Sequence, residues 1–308
     1  MWVVSGASGF VGSAVLARLR KVGVEAAGIY RRRQDGGGRL VERWDRATLR
    51  AALDGAEGVI HSAAVVHRPG ADSRFNVEGT RALLDAAQDV GVRHFVFCSS
   101  IKVYGERPSG TLDERTPLAP EGPYASSKAE AERLVLEGTG MRVAVLRLCP
   151  VYGPGDKGNV RTIIRAVQRR LFFVPGDGST RKSIVHVSTV ADTVAALARS
   201  DASGTFVVAD REAPSLRELA DAAAGALGRR RPPSLPLPAL RAGARLAGAA
   251  ARLAGRSTSF SLEQVEKAVT TTVCDPSRVE RALGIDCHVD LDGAIREEVS
   301  WLRSIGAL

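Results

Sequence analysis

Tyr124 and Lys128 stand four residues apart in the segment PYASSKAEAE, which begins at Pro123 and continues into residues that favour helices. Side chains at positions i and i+4 are neighbours on the surface of a helix. An ammonium group held beside a phenol favours the phenolate form by charge attraction, so this pair could transfer a proton. Tyrosine and lysine also recur at this spacing by chance, and the pair alone therefore leaves a purely structural interpretation open.

The segment SGASGFVG also indicates chemistry, with glycines at Gly6, Gly9 and Gly12. Glycine permits a tight turn and lets the backbone approach a ligand closely. The segment follows a predicted strand and opens a predicted helix, whose free N–H groups would attract a pyrophosphate. The dinucleotide-binding motif requires this context, so the sequence predicts a site for a dinucleotide cofactor.

The end of the second predicted strand, GIYRRR, bears on which dinucleotide is bound. NAD-binding domains commonly place an acidic residue there to hold the ribose hydroxyls, but in this chain Tyr30 takes that place. Arg31, Arg32 and Arg33 follow, and a guanidinium can bind a 2′-phosphate with two parallel hydrogen bonds. We therefore expect NADP in preference to NAD, although the three arginines could also belong to a solvated loop.

The elements that must position these residues alternate between short apolar strands and amphipathic helices through roughly the first two hundred residues. Continuous apolar strands joined by helices indicate a parallel sheet that is covered on both faces. The sequence thus predicts an α/β fold: a Rossmann-type doubly wound parallel sheet with a smaller C-terminal α/β substrate domain. We place the dinucleotide-binding domain at 1–170 and most of the substrate domain at 171–308, with 184–209 as a segment that could return to the first domain.

The composition is that of an ordinary globular protein, with a formal net charge of +9 and four widely spaced cysteines. The cysteine spacing argues against a metal site and fits a reduced compartment. The N-terminus predicts a strand and not a signal peptide, so we expect a cytoplasmic protein without a membrane span. The arginines are scattered and no motif indicates nucleic-acid binding. The alanine-rich segment after Arg229 predicts a packing helix, an interpretation preferred to a peripheral membrane role.

Several segments together resemble the extended short-chain dehydrogenase/reductases, in particular the nucleotide-sugar epimerases, dehydratases and ketoreductases. The resemblance covers nearly the whole chain and rests on SGASGFVG, Trp44–Asp45, HSAA, NVEGTRALLDAA, FCSSIKVYGE, YASSK and LRLCPVYGPG. It implies that Tyr124 is the general acid and base, and that Lys128 lowers the pKa of the tyrosine and holds the nicotinamide ribose. It also implies that Ser100 orients the reacting oxygen, chosen over Ser99 by alignment on VYG.

The same resemblance implies two sets of binding residues. The cofactor set is Gly6, Ser8, Gly9, Phe10, Val11, Gly12, Arg31, Arg32, Asp45, Ala63, Ala64, Asn76, Ser99, Tyr124, Lys128 and Val151. Within it, Asp45 would hold the adenine amino group. The substrate set, for a UDP-linked sugar, is Ser100, Tyr124, Asn159, Arg181 and Lys182. Lys182 aligns with the family's arginine for the nucleotide diphosphate, and Arg181 beside it is the alternative.

The predicted reaction is hydride transfer at ring carbon 4 of a nucleotide sugar. Dehydratases of the family carry an Asp-Glu pair directly after the catalytic serine or threonine, but Ile101 and Lys102 stand there in this chain, which argues against dehydration. We favour an NADPH-dependent 4-ketoreductase, with an NAD-dependent 4-epimerase as the alternative. A reductase of a ketone without a nucleotide and a non-catalytic dinucleotide-binding sensor are further alternatives. The family's four-helix interface predicts a homodimer.

Overall fold

The computed structural model describes residues 1–31, 38–65, 73–106, 108, 110–137, 140–253 and 261–308. The strands of this part of the chain are β1 Trp2–Ser5, β2 Ala26–Tyr30, β3 Arg39–Leu40, β4 Gly58–His61, β5 His94–Ser100, β6 Thr111–Leu112, β7 Arg142–Leu148, β8 Val151–Tyr152, β9 Val174–Pro175, β10 Val185–His186, β11 Gly204–Val208, β12 Ser234–Leu235 and β13 Val273–Cys274. The helices are α1 Phe10–Lys21, α2 Arg46–Leu53, α3 Arg74–Asp89, α4 Gly122–Leu136, α5 Asn159–Gln168, α6 Val187–Leu197, α7 Leu216–Leu227, α8 Leu237–Leu253, α9 Leu262–Val269, α10 Ser277–Leu283 and α11 Leu291–Ser304, and a 3-10 turn covers Ile101–Tyr104.

The central sheet has seven strands in the order β11-β7-β5-β4-β1-β2-β3, and all of its pairings are parallel. Strand β1 is buried along its whole length, and so is β4. Continuous apolar strands of this kind are stable only where helices cover both faces of the sheet. The predicted Rossmann-type sheet is confirmed.

Helices cover the two faces in separate groups. Helices α1 and α6 pack on one face, where Leu19 and Val190 are fully buried in the same cluster. Helices α2, α3 and α4 pack on the other face, around Leu49, Leu83 and Val135. Strand β11 extends the sheet beside β7, so the chain returns to the central sheet after β10.

The C-terminal part of the chain has a core of its own. Helices α5, α7 and α11 pack together around Ile164, Leu219 and Ile295, which are all buried. The alanine-rich helix α8 packs against α9. Within the described residues, no helix has both the length and the apolar character needed to cross a membrane.

The topology determines where a ligand can lie. Strand β1 pairs with β2 on one side and with β4 on the other, so the strand order reverses beside β1. In open parallel sheets, ligands bind at such a reversal, in the crevice at the carboxyl ends of the strands. The glycine-rich segment follows β1 and Ser100 ends β5, which places both at this edge.

Candidate active site

The glycine-rich turn after β1 is packed too tightly for any other residue type. Gly6 has a φ of +73°, and a Cβ placed on it would lie 2.7 Å from the backbone nitrogen of Ala63. A Cβ on Gly12 would lie 2.2 Å from the carbonyl oxygen of Gly6. The turn therefore touches the loop after β4, which holds Ala63 and Ala64. Sequence reasoning assigned all four residues to the cofactor.

The start of α1 is open to an anion. Gly9 is the N-cap residue and supplies no side-chain hydrogen bond, and the first turn of the helix contains no acidic residue. Ser8 and Gly9 are exposed, whereas Phe10 and Val11 begin the helix half-buried. Free N–H groups at a helix N-terminus attract phosphate groups. These residues fit the pyrophosphate of a dinucleotide.

Ser100, Tyr124 and Lys128 come together at the carboxyl end of β5. Ser100 is the last residue of the strand, and its hydroxyl is near enough to the phenol of Tyr124, in the first turn of α4, to lower the pKa of that phenol. Lys128 lies one turn further along α4, is only 3% exposed, and donates from Nζ to the carbonyl oxygen of Cys98 at 2.8 Å. Its ammonium also lies 4.5 Å from the centre of the Phe97 ring. The structure thus brings together the three residues that sequence reasoning assigned to catalysis.

The protonation of these groups differs from the expectation in one respect. Burial raises the pKa of the Tyr124 phenol, and the hydrogen bond from Ser100 opposes this effect. The sequence led us to expect a pKa lowered by Lys128, but desolvation of the phenolate is the largest effect, and the effect that opposes it comes from Ser100. Burial also lowers the pKa of Lys128 to about 8, against the opposing effects of Cys98 and Glu132.

A buried ion pair beneath Lys128 was missed by sequence reasoning. Glu132 follows Lys128 by one more turn of α4, is 1% exposed, and accepts from Arg147 Nη2 at 2.8 Å and from Nε at 3.1 Å. Ser99 Oγ donates to the same carboxylate at 2.5 Å, and Arg147 Nη1 donates to the hydroxyl of Tyr104 at 2.9 Å. The sequence did contain a signal for Glu132: it follows Tyr124 and Lys128 at the same spacing of four residues, which places all three on one face of the helix.

Three residues assigned to the cofactor form side-chain hydrogen bonds with other groups of the protein. Asn76 is 3% exposed, and its amide bonds the backbone N–H and carbonyl of Val65. It therefore shapes the loop after β4. Ser99 points to Glu132, away from Ser100. Asp45 is the N-cap of α2 and accepts from the Thr48 N–H at 2.9 Å.

Other assigned cofactor residues lie around the same crevice. The guanidinium of Arg31 lies 5.8 Å from the centre of the Phe75 ring on α3. Arg32 and Arg33 fall outside the described residues. Val151 opens β8 and pairs with Val185 of β10, so it belongs to a short two-stranded sheet.

The side chains of Arg181 and Lys182 make separate contacts in the structure. Arg181 Nη1 donates to the carbonyl oxygen of Ala213 at 2.8 Å, whereas Lys182 Nζ donates to the carbonyl oxygen of Lys267 at 3.0 Å. Neighbouring residues in an extended segment point to opposite sides. Only Lys182 therefore lies on the side of Lys102. Burial lowers the pKa of Lys182, and the positive charge of Lys102 lowers it further.

Three lysines form a cluster on that side of the molecule. Lys102 and Lys267 both bind the Glu106 carboxylate, at 2.9 and 3.5 Å, and Lys182 bonds the backbone of Lys267. Sequence reasoning used Lys102 only as an argument against dehydration. Lys267 was not found, since it is far from Lys102 in the chain.

Asn159, assigned to the substrate, is the exposed first residue of α5.

A separate cavity of about 1010 Å³ lies between α7 and the start of α11. Its walls include Arg181 and Asp210 but none of Ser100, Tyr124 and Lys128. It is therefore distinct from the candidate active site.

In the described part of the chain, no group of three or more His, Cys, Asp or Glu side chains is placed to hold a metal ion.

Comparison with known proteins identifies the family of this chain. The model of the NAD dependent epimerase/dehydratase family matches residues 2–209. The chain belongs to this family. The resemblance to the extended short-chain dehydrogenase/reductases is thereby confirmed, as is the expectation of an NAD(P)-dependent enzyme family.

The individual relatives that follow share only a quarter to a third of their aligned residues with this chain. A 3beta-hydroxysteroid-dehydrogenase/decarboxylase of Arabidopsis thaliana is 33% identical over 51% of this chain and 38% of its own length. An undecaprenol-linked N-acetylglucosamine 4-epimerase of Escherichia coli O157:H7 is 26% identical over 76% of this chain and 74% of its own length. The solved structure of MoeE5 in complex with UDP-glucose and NAD is 25% identical, with 99% of each chain covered and a TM-score of 0.76. The chain spans only 30 to 49% of the length of the first curated relatives that it matches.

Proposed function

We propose that this protein is an NAD-dependent 4-epimerase of a UDP-linked sugar. The observation that carries the proposal is the position of the Tyr124 phenol, which interacts with the Ser100 hydroxyl and lies one helical turn from the buried Lys128 ammonium. The set lies at the same sheet edge as the glycine cradle. The MoeE5 structure, which holds UDP-glucose and NAD, supports both the cofactor and the substrate class.

The chain's own residues would move one proton. Tyr124 would take the proton from the hydroxyl on ring carbon 4 and return it when the opposite configuration forms. Ser100 would hold the reacting oxygen, and the Lys128 ammonium would stabilise negative charge on the phenolate. NAD bound in the cradle would supply the redox chemistry at the same carbon.

The lysine cluster supports a substrate with a diphosphate. Lys182 occupies the position that the family resemblance assigns to the diphosphate, and Lys102 lies two residues after Ser100. Cationic side chains beside the reacting serine favour an anionic substrate. Asn159 at the start of α5 would contact the sugar from the other side of the cleft. Arg181 would not contact the substrate, because its guanidinium is directed to Ala213 and the Glu218 carboxylate.

The comparisons favour the epimerase alternative over the NADPH-dependent 4-ketoreductase that the sequence led us to expect. The preference for NADP depended on three arginines, of which Arg31 lies over the Phe75 ring. The Escherichia coli relative is a 4-epimerase of a diphosphate-linked sugar, and MoeE5 was solved with NAD. We retain a cytoplasmic homodimer, assembled through α3 and α4, as part of the proposal.

The proposal is tested by incubating the purified chain with UDP-glucose or UDP-glucuronic acid and a trace of NAD. Proton NMR should show the epimer at carbon 4 accumulating to the same equilibrium from either side, with no net change in absorbance at the wavelength of reduced cofactor. Stoichiometric oxidation of NADPH by a 4-keto sugar, with no inversion at carbon 4, would show a ketoreductase instead.

A further inference from the structure

Two large apolar side chains project from one short segment of the C-terminal domain. Leu171 is 69% exposed and Phe173 is 43% exposed, in the segment between α5 and β9. Single exposed apolar residues are normal on any protein surface, but a pair within three residues is a local concentration. Arg170, immediately before them, has a φ of +59°, so the chain turns sharply at this point.

Arginines surround this pair from two segments that run side by side. The Val174 N–H donates to the carbonyl oxygen of Pro233 at 3.0 Å, and Arg229 Nε donates to the Gln168 side chain at 3.3 Å. These contacts bring 169–173 and 229–233 together, and we call the two segments the basic-apolar surface. Its exposed arginines are Arg169, Arg170, Arg229, Arg230 and Arg231.

The positive charge of the basic-apolar surface is largely uncompensated. Arg231 lies 3.7 Å from the Asp221 carboxylate. For the other four arginines, no carboxylate of the described residues lies within 4 Å. A second copy of this chain is a poor occupant, because two such surfaces would repel each other. Leu171 does not line a groove, since more than two thirds of its side chain is exposed.

We propose that the basic-apolar surface docks the protein on an anionic lipid bilayer, with Leu171 and Phe173 entering the headgroup region. Basic residues near an anionic membrane each strengthen binding by about five-fold, and apolar side chains add affinity by leaving water. The occupant must be anionic because of the arginines and must accept projecting apolar groups. A bilayer meets both requirements, whereas an acidic protein would need a groove of its own.

The surface lies beside the substrate side of the molecule. Helix α9 packs against β9, and Lys267 of α9 belongs to the lysine cluster near Ser100. The docking itself does not depend on the proposed function, and its test requires no catalytic activity.

The test is co-sedimentation of the full chain with phosphatidylcholine vesicles that contain or lack phosphatidylglycerol. We expect binding only to the anionic vesicles, weakened by salt. Leu171→Ala/Phe173→Ala should lose at least roughly ten-fold in affinity, and Arg169→Gln/Arg170→Gln about twenty-five-fold. The matched controls are Ile305→Ala and Arg281→Gln, exposed residues outside the surface, which should bind like the parent.

Three outcomes would overturn the proposal. The first is no binding to anionic vesicles at low salt. The second is unchanged affinity in the Leu171→Ala/Phe173→Ala variant, which would leave only non-specific charge attraction. The third is binding to soluble polyglutamate but not to vesicles, which would indicate an acidic protein partner. Circular dichroism melts should show that every variant is folded, since all the changed side chains are exposed.

Discussion

Lys128 keeps a positive charge at a position where its side chain is 3% exposed. Its pKa is lowered to about 8 by burial, below the usual 10.5. Between these values the unfolded chain holds a proton that the folded chain has lost, so stability rises with pH through this window. Below pH 8 the full cost of the buried charge is present. The proposed catalytic lysine therefore reduces the stability of the ligand-free fold.

Replacing this lysine should stabilise the ligand-free protein while removing its activity. We expect Lys128→Met to raise the free energy of unfolding at pH 7 by about 2 kcal/mol, after subtraction of the lost bond to Cys98. The gain should shrink as the pH rises from 8 to 10.5. Urea unfolding at several pH values measures it. The control Lys157→Met, at an exposed position, should show no pH-dependent change in the free energy of unfolding. If the stability gained by Lys128→Met did not depend on pH, the buried charge on Lys128 would be contradicted.

Gly12 is the residue of the cradle that tolerates a side chain least. Gly12→Ala would place a Cβ 2.2 Å from the Gly6 carbonyl oxygen, so the turn must shift away from the position that suits a pyrophosphate. We expect NAD affinity, measured by calorimetry, to fall at least roughly ten-fold.

A matched glycine lies on α7. Apart from its chain neighbours and the backbone of its own helix, no atom of the described residues lies within 4 Å of the point that a methyl group on Gly225 would occupy. Gly225→Ala should therefore keep NAD binding and stabilise the helix by roughly 0.5–1 kcal/mol. Equal NAD affinities in the two variants would show that the cradle does not hold the cofactor.

At the scale of elements, the Glu132–Arg147 pair joins α4 to β7, and the Ser99 bond to Glu132 adds β5. Removing one partner of a buried ion pair leaves the other charged and unpaired, which costs about 3–5 kcal/mol. We expect Arg147→Met and Glu132→Gln each to lose stability on this scale in thermal or urea unfolding. The double variant should lose clearly less than the sum of the two. Single losses below about 1 kcal/mol would mean that the pair does not hold α4 in place.

The elements themselves were largely predictable from the sequence. Strands β1, β4 and β5 are continuous apolar runs, and helices such as α1 end at a glycine just beyond the last turn. The spacing of Tyr124 and Lys128 fixed them on one face of α4. The opposite directions of Arg181 and Lys182 followed from the extended backbone and could have been foreseen.

What the sequence could not provide is burial and long-range contact. The pKa of Tyr124 depends on desolvation, which only the packed fold determines. Lys267 reaches Glu106 across more than half of the chain, and no local pattern indicates that contact. Likewise, Asn76 matches a family motif, but only the structure shows that its amide bonds the loop at Val65.

At the scale of the whole molecule, cofactor binding links the crevice to global stability. A ligand that binds only the folded chain stabilises it by about 2.7 kcal/mol at a concentration roughly one hundred times its Kd. We expect NAD to raise the melting temperature more than NADP at equal concentration, as the proposed NAD dependence requires. A larger rise in melting temperature with NADP than with NAD would favour the NADPH-dependent 4-ketoreductase over the 4-epimerase.

The role of the phenol can be measured by comparing Tyr124→Phe with the parent in the UDP-sugar assay. We predict that the variant still binds NAD, since the cradle is unchanged, but that kcat falls by about 10²–10⁴ because no group exchanges the proton. A Tyr124→Phe variant that inverts carbon 4 as fast as the parent would contradict the proposed proton transfer.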